Sequence, residues 1–171
     1  MIGRRACGAV MVATLSVVWV GAGTAASASR AATPSKQAKM ICAGEAKHDI
    51  AGVLAIKPVR VTKPTWVDDV YSCTYVYPTG SFTVAVKDLP DRTATSAYFD
   101  TLGTTLSRLP DAVGLGDGAF LTPTGSVVVR KDNKVLEVDA SKLPAEFGKL
   151  ELSPADVGST VAMTILGCWT G

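Results

Sequence analysis

The chain has 171 residues, of which 47% are hydrophobic and 19% are charged, and it contains 16 glycines and 9 prolines. This length is enough for one domain, and the composition excludes a collagen, a coiled coil and a disordered tail. The 17 basic and 15 acidic side chains nearly balance, so no charge excess indicates nucleic acid or an anionic membrane as a partner.

The first 28 residues have the pattern of an export signal. Arg4 and Arg5 precede an uncharged run over residues 6–23, and Ala26-Ser27-Ala28 offers the small side chains that a signal peptidase needs. We expect cleavage after Ala28, which removes the two arginines and leaves 15 basic and 15 acidic side chains. The alternative is an uncleaved membrane anchor, because the apolar run is near the lower spanning limit of about 17 residues.

A flexible leader and a helix are predicted next. Residues 29–35 are small and polar and include a proline, whereas residues 36–171 read as one α+β domain. From Lys36 to Leu54 the apolar residues recur with a helical period, so we expect a first helix that breaks near Gly44 and stops before Pro58.

A β-hairpin and a second helix follow. The segments 66–77 and 81–87 are rich in β-forming residues and flank Pro78-Thr79-Gly80, which predicts a hairpin. Asp91 or Thr93 can then cap a helix that ends before Pro110. The apolar stripe of that helix is predicted at Ala94, Tyr98, Leu102, Leu106 and Leu109.

Three strands and a closing helix complete the predicted domain. The strands are expected at 119–122, 126–130 and 134–139, and Ser153-Pro154-Ala155-Asp156 has the cap, proline and acidic residue that open a helix. The order is α-ββ-α-βββ-α. We therefore expect an antiparallel sheet of four to five strands packed with helices, in two layers around one core.

Catalytic and metal-binding patterns are nearly absent. His48 is the only imidazole, and Glu45 or Asp49 on the same helix are its available partners. A carboxylate-bridged metal site needs such a pair from two helices, so an exposed helix position is the simpler interpretation. Asp68-Asp69 reads as a solvated pair near a strand start, because neighbouring strand residues point to opposite faces. The sequence predicts no cofactor, no metal and no catalytic residue.

An aromatic cluster is the best candidate for a binding surface. Tyr71, Tyr75 and Tyr77 alternate along one predicted strand face, with Trp66 just upstream and Trp169 near the end of the chain. Exposed aromatic rings could stack on a sugar or anchor a peptide. The alternative is that these rings pack beneath a covering helix.

Three cysteines remain after export into an oxidising compartment. At least one disulfide is expected, and one thiol is left over. We predict a Cys42–Cys73 bond, whose loop of 32 residues, counting both ends, stabilises the fold by roughly 3 to 4 kcal/mol. The alternative is Cys42–Cys168. If Cys168 is the free thiol, its place on the helix stripe predicts a slowly reacting sulfur and a mainly monomeric protein.

Several short motifs of the mature chain are similar to those of small exported actinobacterial proteins of unknown function. They are K-x-x-x-x-I-C-A-x-E, W-x-x-x-x-Y-S-C-T-Y, G-L-G-D-G-A-F and a terminal C-W-T-G. In layout the chain also resembles actinobacterial envelope lipoprotein domains, although it lacks their lipid-attachment cysteine. The resemblance implies an exported α+β protein and carries no catalytic residue with it.

These observations favour a secreted or envelope-associated binding domain, stabilised by a disulfide and non-catalytic, with an unknown extracellular partner. Two other classes stay open. One is a small extracellular enzyme that uses His48 with Glu45 or Asp49. The other is a structural, dimeric envelope protein.

Overall fold

Four helices and seven strands are present in the computed structural model, which describes residues 33–109 and 114–169. In chain order they are α1 (Lys36–Met40), α2 (Gly44–Val53), β1 (Arg60–Val61), β2 (Thr65–Val67), β3 (Val70–Tyr77), β4 (Gly80–Asp88), α3 (Arg92–Thr105), β5 (Gly118–Leu121), β6 (Val127–Lys131), β7 (Lys134–Lys142) and α4 (Pro154–Cys168). The α+β class is confirmed. The predicted signal peptide and its cleavage site lie outside the described residues.

The predicted first helix is two helices. It breaks between Met40 and Gly44, where Ala43 takes an extended conformation and becomes the N-cap of α2. Ser35, the last residue of the predicted leader, is already part of the fold. Its hydroxyl caps α1, and its backbone N–H and hydroxyl donate to the Asp88 carboxylate at 2.7 and 2.8 Å.

All seven strands form one antiparallel sheet in the order β1-β3-β4-β7-β6-β5, with β2 also paired to β3. The expectation of four to five strands was wrong because residues 60–61 and 65–67 add two short strands along β3. The segment 66–77 is not one strand, since Asp68 and Asp69 both take positive φ and turn the chain between β2 and β3. These carboxylates therefore lie in a hairpin turn, not on a strand.

One face of the sheet, which we call the inner face, carries the main core. Strand alternation places Tyr75, Phe82 and Val84 on it, and α1, α2 and α4 cover it. The Cys42–Cys73 disulfide joins the α1–α2 junction to β3, as predicted. The first helices are thus covalently fixed to the inner face.

The opposite face, which we call the outer face, is covered by α3 over part of its area. Phe99 of α3 packs on Phe120, Val128 and Val135, and these four residues form a second, smaller core. The expected two layers and single core were therefore wrong, because helices lie on both sides of the sheet. The α3 stripe was also misplaced: the buried residues of α3 are Thr95, Phe99 and Gly103, while the predicted stripe is only partly buried.

The last helix begins as predicted. The Ser153 hydroxyl accepts from the backbone N–H of Asp156, and the Asp156 carboxylate accepts from the backbone N–H of Ser153, which completes a capping box around Pro154. Val157, Val161 and Ile165 are buried on the inner face. This helix also fixes the β5–β6 turn, which forms part of the site described below.

Candidate functional site

A polar groove lies on the outer face, where α3 ends and the sheet is no longer covered. We call it the Glu137 groove; it has a volume of about 420 Å³. It is formed by the end of α3, the β5–β6 turn and β7. Its lining residues are Thr105, Leu106, Ser107, Thr122, Pro123, Thr124, Ser126, Glu137, Asp139 and Ser141.

The groove contains two carboxylates because β7 alternates. Leu136 and Val138 point to the inner face and are fully buried, so Glu137 and Asp139 point to the outer face. The cross-strand neighbour of Glu137 on β4 is Ala85, whose small side chain leaves the carboxyl uncovered. The two carboxylates are adjacent on one face of one strand, with Cα atoms about 7 Å apart.

Asp139 is held in place by its neighbours. Its Oδ1 accepts from the Ser126 hydroxyl at 3.1 Å and from the backbone N–H of Ser141 at 3.0 Å. Burial acts to raise the pKa of Asp139, but the Ser141 and Ser126 hydrogen bonds and the charge of Lys142 outweigh it and lower that pKa. Asp139 is therefore an ionised and positioned group.

Glu137 is in the opposite situation. Its carboxylate is half-buried and receives no hydrogen bond or ion pair from any residue that the structure describes. Burial, and then the negative charge of Asp139, raise the pKa of Glu137. Glu137 is therefore the carboxylate of the groove that is free to accept hydrogen bonds from water or from a ligand.

The β5–β6 turn gives the groove a rigid rim of hydroxyl groups. The Thr122 and Thr124 hydroxyls lie 2.9 Å apart, and the Thr122 hydroxyl also accepts from the backbone N–H of Ser126. Gly125 has φ of +83°, and a Cβ there would come within 2.6 Å of Pro154. The backbone of the turn therefore packs directly on the start of α4, and this contact holds the rim in place.

Ser126 links the rim to the carboxylates. Its hydroxyl accepts from the backbone N–H of Ala140 at 3.1 Å while it donates to Asp139. Ser126 is itself buried; its hydrogen bond with Ala140 is buried, and its hydrogen bond to Asp139 is partly buried. Rim, serine and carboxylate thus form one preorganised polar network.

The aromatic surface predicted from the sequence does not form. Tyr75 and Tyr77 are core residues, 0% and 3% exposed, and both stack on Phe82. Burial raises the pKa of both phenols. The interpretation of these two rings as a binding surface was wrong, and the alternative of packing beneath helices is confirmed for them.

The other aromatic residues of that prediction are half-buried. Trp66 and Tyr71 are register partners on β2 and β3, and Tyr71 packs at the margin of the main core. Trp169 follows α4 and packs against the same core. None of these three rings lines the Glu137 groove.

His48 lies on α2 with Glu45 and Asp49. Its ring is exposed and makes no hydrogen bond or ion pair with another residue in the described ranges. Glu45 lines a small apolar pocket between α1, α2 and α4, but His48 does not. His48 also does not line the Glu137 groove.

Cys168 is the free thiol. It lines the same small pocket near Ile165, and its Sγ donates to the Thr164 carbonyl at 3.5 Å. Burial, and then the charges of Asp49 and Glu45, raise the pKa of the thiol. The sulfur is half-buried and not fully inside the core.

Glu137, Asp139 and Ser126 were not among the candidate residues predicted from the sequence. The alternation V-L-E-V-D-A-S does predict that both acids share a strand face. It does not reveal that α3 ends beside them, nor that the distant β5–β6 turn lies on their other side.

Within residues 33–109 and 114–169, no three histidine, cysteine, aspartate or glutamate side chains are grouped as metal ligands would be. No described helix has the length and apolar character to cross a bilayer. Comparisons of the chain with protein-family models, with curated proteins and with solved structures give no match.

Proposed function

We propose that this chain is a secreted or envelope-associated binding domain that takes its ligand in the Glu137 groove and performs no chemistry on it. The single observation that carries the proposal is the half-buried Glu137 carboxylate, which has no donor among the described residues and is open to a groove of about 420 Å³. Small-ligand sites generally have volumes of about 300 to 1,000 Å³.

The extracellular part of the proposal is supported by the disulfide. Disulfides persist in oxidising compartments, and Cys42–Cys73 fixes the first helices to the sheet. The N-terminal export pattern and the resemblance to exported actinobacterial proteins agree with this location. The non-catalytic part is supported by the position of His48, which is exposed on α2 and does not line the groove.

A site-specific crosslinking experiment tests the proposal. A photoreactive phenylalanine analogue replaces exposed Ser141 at the groove, or exposed Met163 on α4 as the control, in protein exported by its own cells. We expect an envelope component to crosslink at Ser141 and not at Met163, and Glu137→Leu to abolish the adduct. Equal adducts at both positions, or an adduct that survives Glu137→Leu, would contradict a site in the groove.

A further inference from the structure

The groove is lined mainly by hydroxyl groups. Six of its ten lining residues carry hydroxyl groups, two carry carboxylates and two are apolar, and none is basic. The hydroxyl groups are those of Thr105, Ser107, Thr122, Thr124, Ser126 and Ser141. Such a lining can both donate and accept hydrogen bonds with neutral partners, and it repels anions.

From this lining we infer that the Glu137 groove binds a neutral saccharide, whose hydroxyl groups donate to the Glu137 and Asp139 carboxylates. This inference rests on the proposed function and gives its ligand a chemical class. Carboxylates accept strong hydrogen bonds from hydroxyl donors. The separation of about 7 Å between the two Cα atoms lets one short segment of a polyol engage both acids.

The fixed hydrogen bonds of Asp139 support a neutral ligand. Its Oδ1 already accepts from Ser126 and from the backbone of Ser141, so the ligand meets a carboxylate that is held in one orientation. The Asp139 side chain is already ordered in the free protein, so binding a hydroxyl donor costs little further side-chain entropy. The hydroxyl rim at Thr122 and Thr124 then offers partners for the remaining sugar oxygens.

Anionic and cationic ligands fit the groove less well. An anion would face the ionised Asp139 with no basic side chain in the lining. A cation would pair with the two carboxylates, but the six hydroxyl groups of the lining could act towards it only as acceptors. A neutral hydroxylated molecule meets neither obstacle.

The apolar residues of the lining have a complementary role. Leu106 at the end of α3 and Pro123 in the β5–β6 turn are part of the groove. A sugar ring has apolar C–H faces as well as hydroxyl edges, and these two side chains can cover such a face. The groove volume of about 420 Å³ is suited to a short saccharide segment and not to a globular partner.

The test is a titration followed by amide NMR and calorimetry, with matched saccharides as probes. The neutral probes are maltotriose and N,N′,N″-triacetylchitotriose. The deacetylated, cationic form of the latter and a trimer of galacturonic acid provide the charged counterparts. We expect a neutral trisaccharide to shift amides in 105–107, 122–126 and 137–141, and the anionic trimer to shift none of them.

Glu137→Leu is the decisive variant, because it keeps a side chain of similar length while it removes the acceptor. We expect it to weaken binding of the neutral trisaccharide at least about tenfold, as loss of hydrogen bonds to a carboxylate does. Glu146→Leu, at an exposed position outside the groove, is the matched control and should bind as the parent does. Amide spectra of both variants verify that they fold.

The outcomes separate this inference from the proposed function. Groove shifts with the cationic trimer alone would overturn the inference that the saccharide is neutral and leave the binding function. No shift with any trimer, while crosslinking at Ser141 depends on Glu137, would overturn the saccharide class and also leave the binding function. No groove shift and no Glu137-dependent crosslink would overturn both. New reducing ends in a bound neutral trisaccharide would support the saccharide class and contradict a non-catalytic function.

Discussion

The two faces of the sheet differ in role: the inner face carries the main core, and the outer face carries the candidate site. The inner face is covered by α1, α2 and α4, is tied by a disulfide, and contains nearly all of the large buried side chains. Among the described residues, α3 is the helix that covers the outer face, and the core there has four buried residues. Where that cover ends, Glu137 and Asp139 are left in an open groove.

The difference shows how a small domain can hold a costly polar site. Burial on the inner face supplies the stability, since each large apolar side chain contributes about 1.5 to 3 kcal/mol when buried. The outer face can then keep a half-buried carboxylate without a donor among the described residues. The core that stabilises the fold and the candidate site thus lie on opposite faces of one sheet. Because neighbouring residues of a strand point to opposite faces, substitutions at such neighbours can test this division.

The largest expected effect is at Phe82, which is buried on the inner face between Tyr75 and Tyr77. We expect Phe82→Ala to lower the free energy of unfolding by about 3 to 5 kcal/mol, because it leaves a cavity between stacked rings. Thr83 is next in sequence but lies on the outer face, where its hydroxyl pairs with that of Thr74 at 2.9 Å. Thr83→Ala should cost about 1 kcal/mol. Urea denaturation measures both, and equal losses would contradict the comparison.

Removal of the disulfide is expected to have the next largest effect. Replacing Cys42 and Cys73 together by alanine should cost roughly 3 to 4 kcal/mol, because the unfolded chain regains the freedom of the closed loop. Cys168→Ser is the matched control, with an expected change within about 0.5 kcal/mol. Thermal unfolding under non-reducing conditions checks this. A disulfide-free variant as stable as the control would show that the inner face does not depend on the bond.

The two carboxylates of the groove should change stability with opposite signs. The folded-state pKa of Glu137 is raised, so its ionisation costs stability as the pH rises above the unfolded value of 4.5. Glu137→Gln should therefore raise the free energy of unfolding at pH 7, and this gain should disappear below pH 4.5.

The folded-state pKa of Asp139 is lowered, so its contribution is present above the unfolded value of 3.8 and is lost as the pH falls through the folded pKa. Asp139→Asn should cost on the order of 1 kcal/mol at pH 7, because Ser126 and Ser141 lose a charged acceptor. Urea denaturation of both variants from pH 3 to pH 8 measures the two effects. The same sign for both variants at pH 7 would overturn the assignment of an unpartnered Glu137 and a satisfied Asp139.

The smallest expected effect is on the alkylation rate of Cys168, the last residue of α4 on the inner face. Its pKa is raised by burial and by Asp49 and Glu45, so little thiolate is present at neutral pH. We expect slow reaction with iodoacetamide until denaturant is added, and faster reaction in the Glu45→Gln, Asp49→Asn double variant. Mass spectrometry follows the adduct. A disulfide-linked dimer that disappears in Cys168→Ser would instead support the dimeric envelope protein.

Local pattern was sufficient for several elements of this fold. The capping box at Ser153 and Asp156, the β3–β4 hairpin at Pro78-Thr79-Gly80 and the α+β class follow from turn chemistry and periodicity, which act between residues close in sequence. The Cys42–Cys73 bond was also predicted, ahead of the alternative Cys42–Cys168, on the premise that export leaves three cysteines.

What the sequence by itself determined is the alternation of β7, which places Leu136 and Val138 on one face and Glu137 and Asp139 on the other. Only the tertiary structure decided what covers each face. The helix α3 packs through Phe99, one position away from the predicted Tyr98 stripe, and a shift of one residue rotates a helix by about 100°. The groove exists because α3 ends beside β7 and the β5–β6 turn lies on Pro154. Contacts between residues so far apart in sequence are fixed by packing and leave no local periodic signal.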